Sequence, residues 1–213
     1  MKKYIYILLL GSLLLACKSP GKKPVLPFYN TPDFTPVWLM PGDAGYNTIH
    51  TISKFNFTNQ LGQTISNKTV AGKIYVANFF FTSCGSICPQ MMGNLAKVQD
   101  VFAKDTDVVI LSHSVTPLHD NVSVLFKYAN THHIDGKKWW LLTGDKQAIY
   151  QLARQSYFAE NDNGFGKSVN EFLHTENLVL IDKHGRIRGV YNGSLRLEVD
   201  NLVAHIKLLS NEN

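Results

Sequence analysis

The run Lys73-Ile74-Tyr75-Val76-Ala77-Asn78-Phe79-Phe80-Phe81 constrains this chain most, because it delivers Thr82-Ser83-Cys84-Gly85-Ser86-Ile87-Cys88-Pro89. An unbroken stretch of β-branched and aromatic residues with no polar alternation is the signature of a strand buried on both faces of a sheet. Pro89 suits the first turn of a helix, where a missing N–H costs nothing, so the chain is expected to turn there into a helix reaching about Asp105. With Pro89 as the first helical residue, Cys88 is the expected N-cap, facing unpaired backbone N–H groups and the positive end of the helix dipole. That setting favours thiolate over thiol. A thiolate is both the nucleophile of disulfide exchange and a soft ligand for Cu(I) or zinc.

The N-terminus reads as an address. Lys2 and Lys3 precede the apolar run Ile5–Leu15, which is too short to span a bilayer, and Leu14-Leu15-Ala16-Cys17 closes it. This resembles the lipobox of bacterial lipoproteins, which implies cleavage after residues 1–16 and lipid on Cys17. The domain is therefore expected outside the cytoplasm, anchored to a bacterial membrane and facing the periplasm or the cell exterior. Residues 17–45 hold six of the chain's eight prolines and form an expected spacer, with Phe34 to Leu39 as a stretch that could lie along the domain as an edge segment.

Residues 46–213 suffice for one domain with a substantial core. The net charge is +5, two units of it from Lys2 and Lys3, and no basic stripe suggests nucleic acid as a partner. The expected order of elements is a hairpin (Ile49–Phe57 and Gln63–Ser66), the strand ending at Phe81, the cysteine helix, a strand Val108–His113, and a helix Asp120–His132 with an acidic cap. A short strand Trp139–Leu142, a helix capped by Asp145, a hairpin Leu178–Ile181 and Arg186–Tyr191, and a helix Leu197–Leu209 follow. This is an α/β, thioredoxin-like order with an added N-terminal β-hairpin and an inserted helix. In such open sheets the reactive turn lies beyond the carboxyl ends of the parallel strands.

With Cys17 lipidated, Cys84 and Cys88 are the remaining cysteines. A loop that small removes little entropy from the unfolded chain, so the pair serves chemistry more than stability. Three residues separate the sulfurs where redox thioredoxins have two, which leaves room either for a disulfide or for both to face one ion. Most of the eight histidines stand where packing or capping explains them: His50, His113, His132, His133, His184 and His205. His174 differs, because it ends the polar loop 156–173 and leads into a strand that, in this fold, enters beside the reactive turn. Sequence order alone does not select it.

Cys84-Gly85-Ser86-Ile87-Cys88-Pro89, followed by His174-Thr175-Glu176-Asn177-Leu178-Val179-Leu180-Ile181-Asp182, resembles the SCO/SenC family of copper-binding, thioredoxin-fold assembly factors for cytochrome c oxidase. The resemblance spans about residues 50–210. It implies copper, as Cu(I) or Cu(II), held by Cys84, Cys88 and His174, and a partner in the copper-centre subunit of the oxidase, which would be metallated or kept reduced. It also implies a metallochaperone more than an enzyme. The family usually carries two acidic residues four apart after the second buried strand; here Thr116 replaces the first and Asp120 matches the second, near the metal. His119 is a substitute ligand to weigh. The alternative is a membrane-tethered thiol–disulfide oxidoreductase or redox sensor that uses the same pair without metal, one cysteine attacking and the other resolving. A peroxidase is disfavoured, since no Pro-x-x-x-Thr-x-x-Cys precedes either thiol.

Overall fold

The computed structural model describes residues 25–160, 168 and 171–212. The signal, Cys17 and the start of the spacer lie outside the described residues, as does half of the polar loop 156–173, Gly164 and Gly166 included. In chain order the elements are β1 (Phe28–Tyr29), β2 (Pro36–Val37), β3 (Asn56–Asn59), β4 (Thr64–Ser66), α1 (Asn67–Val70), β5 (Ile74–Phe80), α2 (Ile87–Val101) and β6 (Val108–Ser114). They continue as α3 (Val122–Thr131), β7 (Trp139–Thr143), α4 (Lys146–Gln151), a π-helical turn over Leu152–Ser156, β8 (Asn177–Ile181), β9 (Ile187–Asn192) and α5 (Arg196–Ser210).

The main sheet has the order β4-β3-β7-β6-β5-β8-β9. β5, β6 and β7 run parallel, while β8 pairs antiparallel with β5 and β9 with β8. This is the thioredoxin-like arrangement, with β3 and β4 added as a hairpin at the β7 edge. The hairpin is shorter than expected: Ile49 and Ile52 pack into the interior without joining the sheet.

β5 is buried at every position, and its side chains alternate between two cores, as the pleat requires. Ile74, Val76 and Phe80 meet Met91, Leu95 and Val98 of α2, Leu125 of α3, and Leu202 and Ile206 of α5. Tyr75, Ala77 and Phe79 meet Ile149, Leu152, Ala153 and Tyr157 on the other face. Full burial of an aliphatic side chain such as Leu95 or Leu125 contributes about 1.5–3 kcal/mol, so α2 is fixed on the sheet immediately after the cysteine turn. Gly193 allows close approach there, since a Cβ would lie 2.8 Å from Met91 Cγ.

The segment from Val25 is joined to the domain at the far end of the sheet. Leu26 and Phe28 are buried, and β1 pairs with β2. Arg188, on β9 beside Leu180 and Ile181, donates through Nε to Pro27 O at 3.1 Å and through Nη2 to Leu26 O at 2.7 Å. Its remaining donors reach Asp182 and, in a two-pronged pair, Glu212, while its guanidinium lies 4.3 Å from the Phe28 ring centroid. Part of the proline-rich stretch is thus packed on the domain from Leu26 onward. The ribbon of β1 and β2 includes Pro36 and Val37, within the stretch singled out for an edge role.

Candidate metal and thiol site

Beyond Phe80 the chain leaves the sheet and turns over Phe81–Ser86, with Cys84 N–H bonded to Phe81 O at 3.2 Å. α2 then begins at Ile87. Ser86 is its N-cap, the hydroxyl accepting from Ile87 N–H at 2.6 Å, so Cys88 is the second helical residue and not the cap. Proline is tolerated throughout the first turn, whose N–H groups lack intrahelical acceptors, and so does not mark the first helical residue by itself; the cap falls to the hydroxyl side chain that suits it.

Both cysteines are free thiols, Cys84 half-buried and Cys88 buried. They differ in acidity. Burial opposes the Cys84 thiolate, but hydrogen bonds from Cys88 and from the N–H groups of Ser86 and Cys88 outweigh it and bring its thiol below the ordinary cysteine value. Cys88 is pushed up to about 12, first by burial and then by the hydrogen bond it gives to Cys84. The expectation that the helix field would make Cys88 the thiolate is corrected: the field's N–H groups serve Cys84, and the apolar packing of Cys88 dominates at its own sulfur.

Asp120 lies beneath the turn. It is fully buried, and its carboxylate accepts from Thr82 N–H at 3.1 Å, from the Thr82 hydroxyl, from Ser114 Oγ at 2.6 Å and from Thr116 Oγ1 at 3.0 Å. His119 Nδ1 is 2.8 Å from Oδ1, with the imidazole itself largely exposed. Burial raises its carboxyl, but hydrogen bonds from His119, Ser114 and Thr82 overcome that and hold it below the usual carboxylate range. The expected capping role belongs to Asn121, whose side chain accepts from Val124 N–H at 3.1 Å. Asp120 instead turns inward, where the polar donors are.

His174 is exposed, but its neighbours are fixed. Leu173 is buried, and the Phe172 ring packs edge-on against Phe81 with centroids 5.3 Å apart, so this segment does lie against the reactive turn. Glu176 Oε2 accepts from Asn192 Nδ2 at 2.8 Å and Ser194 Oγ at 3.1 Å. The loop base is held by buried Arg154, which pairs with Glu160 at 2.6 Å and donates to Ser168 O and Glu171 O. Among the described residues no three His, Cys, Asp or Glu side chains are gathered as a metal site. The structure therefore brings Cys84 and Cys88 together and does not cluster His174 with them.

One feature escaped sequence reasoning, the Asp120 hub, whose donors come from separate segments. His113 packs as expected, buried in a cage of Phe55, Phe57, Phe79 and Tyr157, with neither ring nitrogen hydrogen-bonded among the described residues. Burial lowers it to about 3, so it is neutral at physiological pH. Among the described residues no helix is long and apolar enough to cross a membrane.

The comparisons agree on one family. The SCO1/SenC family model matches residues 44–210. A SCO1 protein homolog of Bacillus subtilis is 30% identical over 161 residues, covering 75% of this chain and 82% of the homolog. A structure of BsSco, described as a member of the Sco family of cytochrome c oxidase assembly proteins with a disulfide switch, superposes with a TM-score of 0.65 at 28% identity, over 77% of this chain and 96% of that one. Arabidopsis thaliana ScoI, solved with copper bound, gives a TM-score of 0.59 at 25% identity, over 75% and 98%.

Proposed function

The chain belongs to the SCO1/SenC family, and from that premise we propose that it is a copper metallochaperone for the dinuclear copper centre of a cytochrome c oxidase. The observation that carries the reading is the pair of free thiols in the turn that enters α2, with the segment leading to His174 packed against that turn through Phe172 and Phe81. Two sulfurs with one imidazole form a soft, three-coordinate set suited to Cu(I) and open to an incoming ligand, and His174 is the imidazole assigned. Its place after Leu173 and Phe172, which lie against the turn, supports that assignment. Loading requires both thiols reduced and His174 neutral. Copper is the cargo, passed to the acceptor subunit by ligand exchange. The likeness to ScoI with copper and to BsSco as an oxidase assembly protein supports the same role.

The unit handling the metal is residues 46–213, with the stretch 17–45 packed on it from Leu26 onward and the cleaved signal 1–16 ahead of both. Lipid on Cys17 would anchor the protein to a bacterial membrane outside the cytoplasm, with the domain facing the periplasm or the cell exterior.

A second reading is favoured by the divided acidities of the thiols: Cys84 as attacking and Cys88 as resolving thiol of a disulfide oxidoreductase. Anaerobic titration of the reduced full chain in detergent with Cu(I), against a competing chelator, separates the two. One tight equivalent, lost in Cys84→Ser/Cys88→Ser and strongly weakened in His174→Ala while that variant still forms the disulfide, is expected for the chaperone. Weak binding indifferent to His174 overturns it in favour of the oxidoreductase.

A further inference from the structure

Five hydrogen-bond contacts converge on the two carboxylate oxygens of Asp120, and two of them come from Thr82. A carboxylate offers about four acceptor sites, so this one is saturated. It has to be: an ionised group with no solvent exposure survives only if hydrogen-bonded. Three of its donors, Ser114, Thr116 and His119, sit at the end of β6 or in the loop that follows, and they hold the carboxylate in place. The Thr82 donors belong to the cysteine turn, two residues before Cys84. Asp120 therefore stitches the turn to the next strand. Thr116 contributes a hydroxyl that donates, while its own N–H reaches Ser114 Oγ at 3.1 Å. An acid at that position would set two carboxylates against each other.

We propose that Asp120 is the positioning residue of the cysteine turn, holding Thr82 so that the turn keeps its dithiol arrangement, with Thr116 as a supporting donor. Closing a disulfide brings the two sulfurs to about 2.05 Å and the two Cβ atoms to about 3.8 Å, and whatever backbone movement that takes falls on the turn between Thr82 and α2. A turn fixed at Thr82 resists that movement. The clamp thus favours the dithiol over the disulfide, and it deepens the proposed function, resting on that reading for why a reduced pair matters but not for its test.

The test is the equilibrium of the full chain in detergent with glutathione, without metal. One cysteine thiolate attacks oxidised glutathione and releases one reduced glutathione; the other cysteine then displaces the second from the mixed disulfide. The protein loses two electrons, and the glutathione disulfide gains them. Asp120→Asn is expected to shift the constant at least tenfold toward the protein disulfide, about 30 mV in potential. Thr116→Val and the near-isosteric Thr82→Val should shift it the same way by a smaller factor.

A purely structural role would lower the melting temperature of both redox forms equally and leave the constant unmoved, and that result overturns the proposal. Where Asp120→Asn fails to fold, Thr82→Val decides by the same criterion. Absence of Cu(I) binding in the unaltered protein would remove the metal reading while leaving this shift intact. Copper retention with an unmoved constant in all three variants would remove the clamp alone.

Discussion

Cys84 and Cys88 share a hydrogen bond that separates their acidities, lowering the first thiol and helping to raise the second to about 12. Two thiols of one short turn are thereby assigned different chemistry. On the proposed function the half-buried one would be the nucleophile or the first to meet a metal ion, and the buried one would hold its proton until a partner takes it.

The first prediction follows from that division. Reduced protein treated with limiting iodoacetamide at pH 8 should be alkylated at Cys84 at least tenfold faster than at Cys88, as read by peptide mass spectrometry. The rate at Cys84 should rise with pH through a midpoint below that of an ordinary cysteine, because a lowered thiol exposes more thiolate at each pH. In Cys88→Ala, which removes the donor to the Cys84 sulfur, the midpoint should move upward. Preferential labelling of Cys88 would reverse the assignment.

His113 gives a second prediction. Its folded value of about 3 lies below the ordinary imidazole value of about 6.5, so the unfolded chain binds a proton that the folded chain refuses. Its neutral form is no burden above pH 6.5, and stability is lost as the pH falls from there toward 3. His113→Phe, placed in an aromatic cage, should flatten that part of the curve of melting temperature against pH. It should also be neutral or stabilising at pH 7, by about 1–3 kcal/mol, because two unpaired nitrogens leave the interior. A variant with the same slope between pH 6.5 and 4 would show that His113 finds a partner.

Asp120 predicts the acid limb differently. Its depressed carboxyl adds stability that is present above the unfolded carboxylate value near 4 and lost as pH falls through its folded value. Asp120→Asn should therefore be less stable at neutral pH and should lose less on acidification. Chemical denaturation at pH 7 and pH 3 measures both quantities, and parallel loss in the two proteins would contradict the assignment.

Arg188 supplies a fourth. Its donors meet two carboxylates and two backbone carbonyls in a buried setting. Arg188→Lys keeps the charge but not the planar fork, and Arg188→Ala leaves buried Asp182 with one cation fewer. We expect a loss of about 3 kcal/mol for the alanine variant and a smaller loss for lysine, read from urea unfolding. Near-equal stability of all three proteins would show that the clamp is decorative.

Much of this architecture was legible from residue order because it is local. Ile74–Phe80 announces a doubly buried strand by composition alone, and Asp145 caps its helix as expected, accepting from Ala148 N–H at 2.8 Å. What escaped depends on residues far apart in the chain. Thr82 and Asp120 lie 38 positions apart, and no period or spacing connects them. The helix start slipped from Pro89 to Ile87 because Ser86 competes for the cap, which is a contest among neighbours that composition does not settle. His174 came from a family likeness, and its exposed side chain explains why no pattern of burial would have chosen it.

The Arg188 clamp also has a mechanical meaning. It grips Leu26 and Pro27 level with the start of β5, whereas Cys84 follows that strand's other end. On the proposed lipid at Cys17, seven residues lie between the anchor and Val25, a reach of at most about 29 Å. A tether fastened at that pole would leave the thiols at the opposite one, with the length of the sheet between them and the point of attachment.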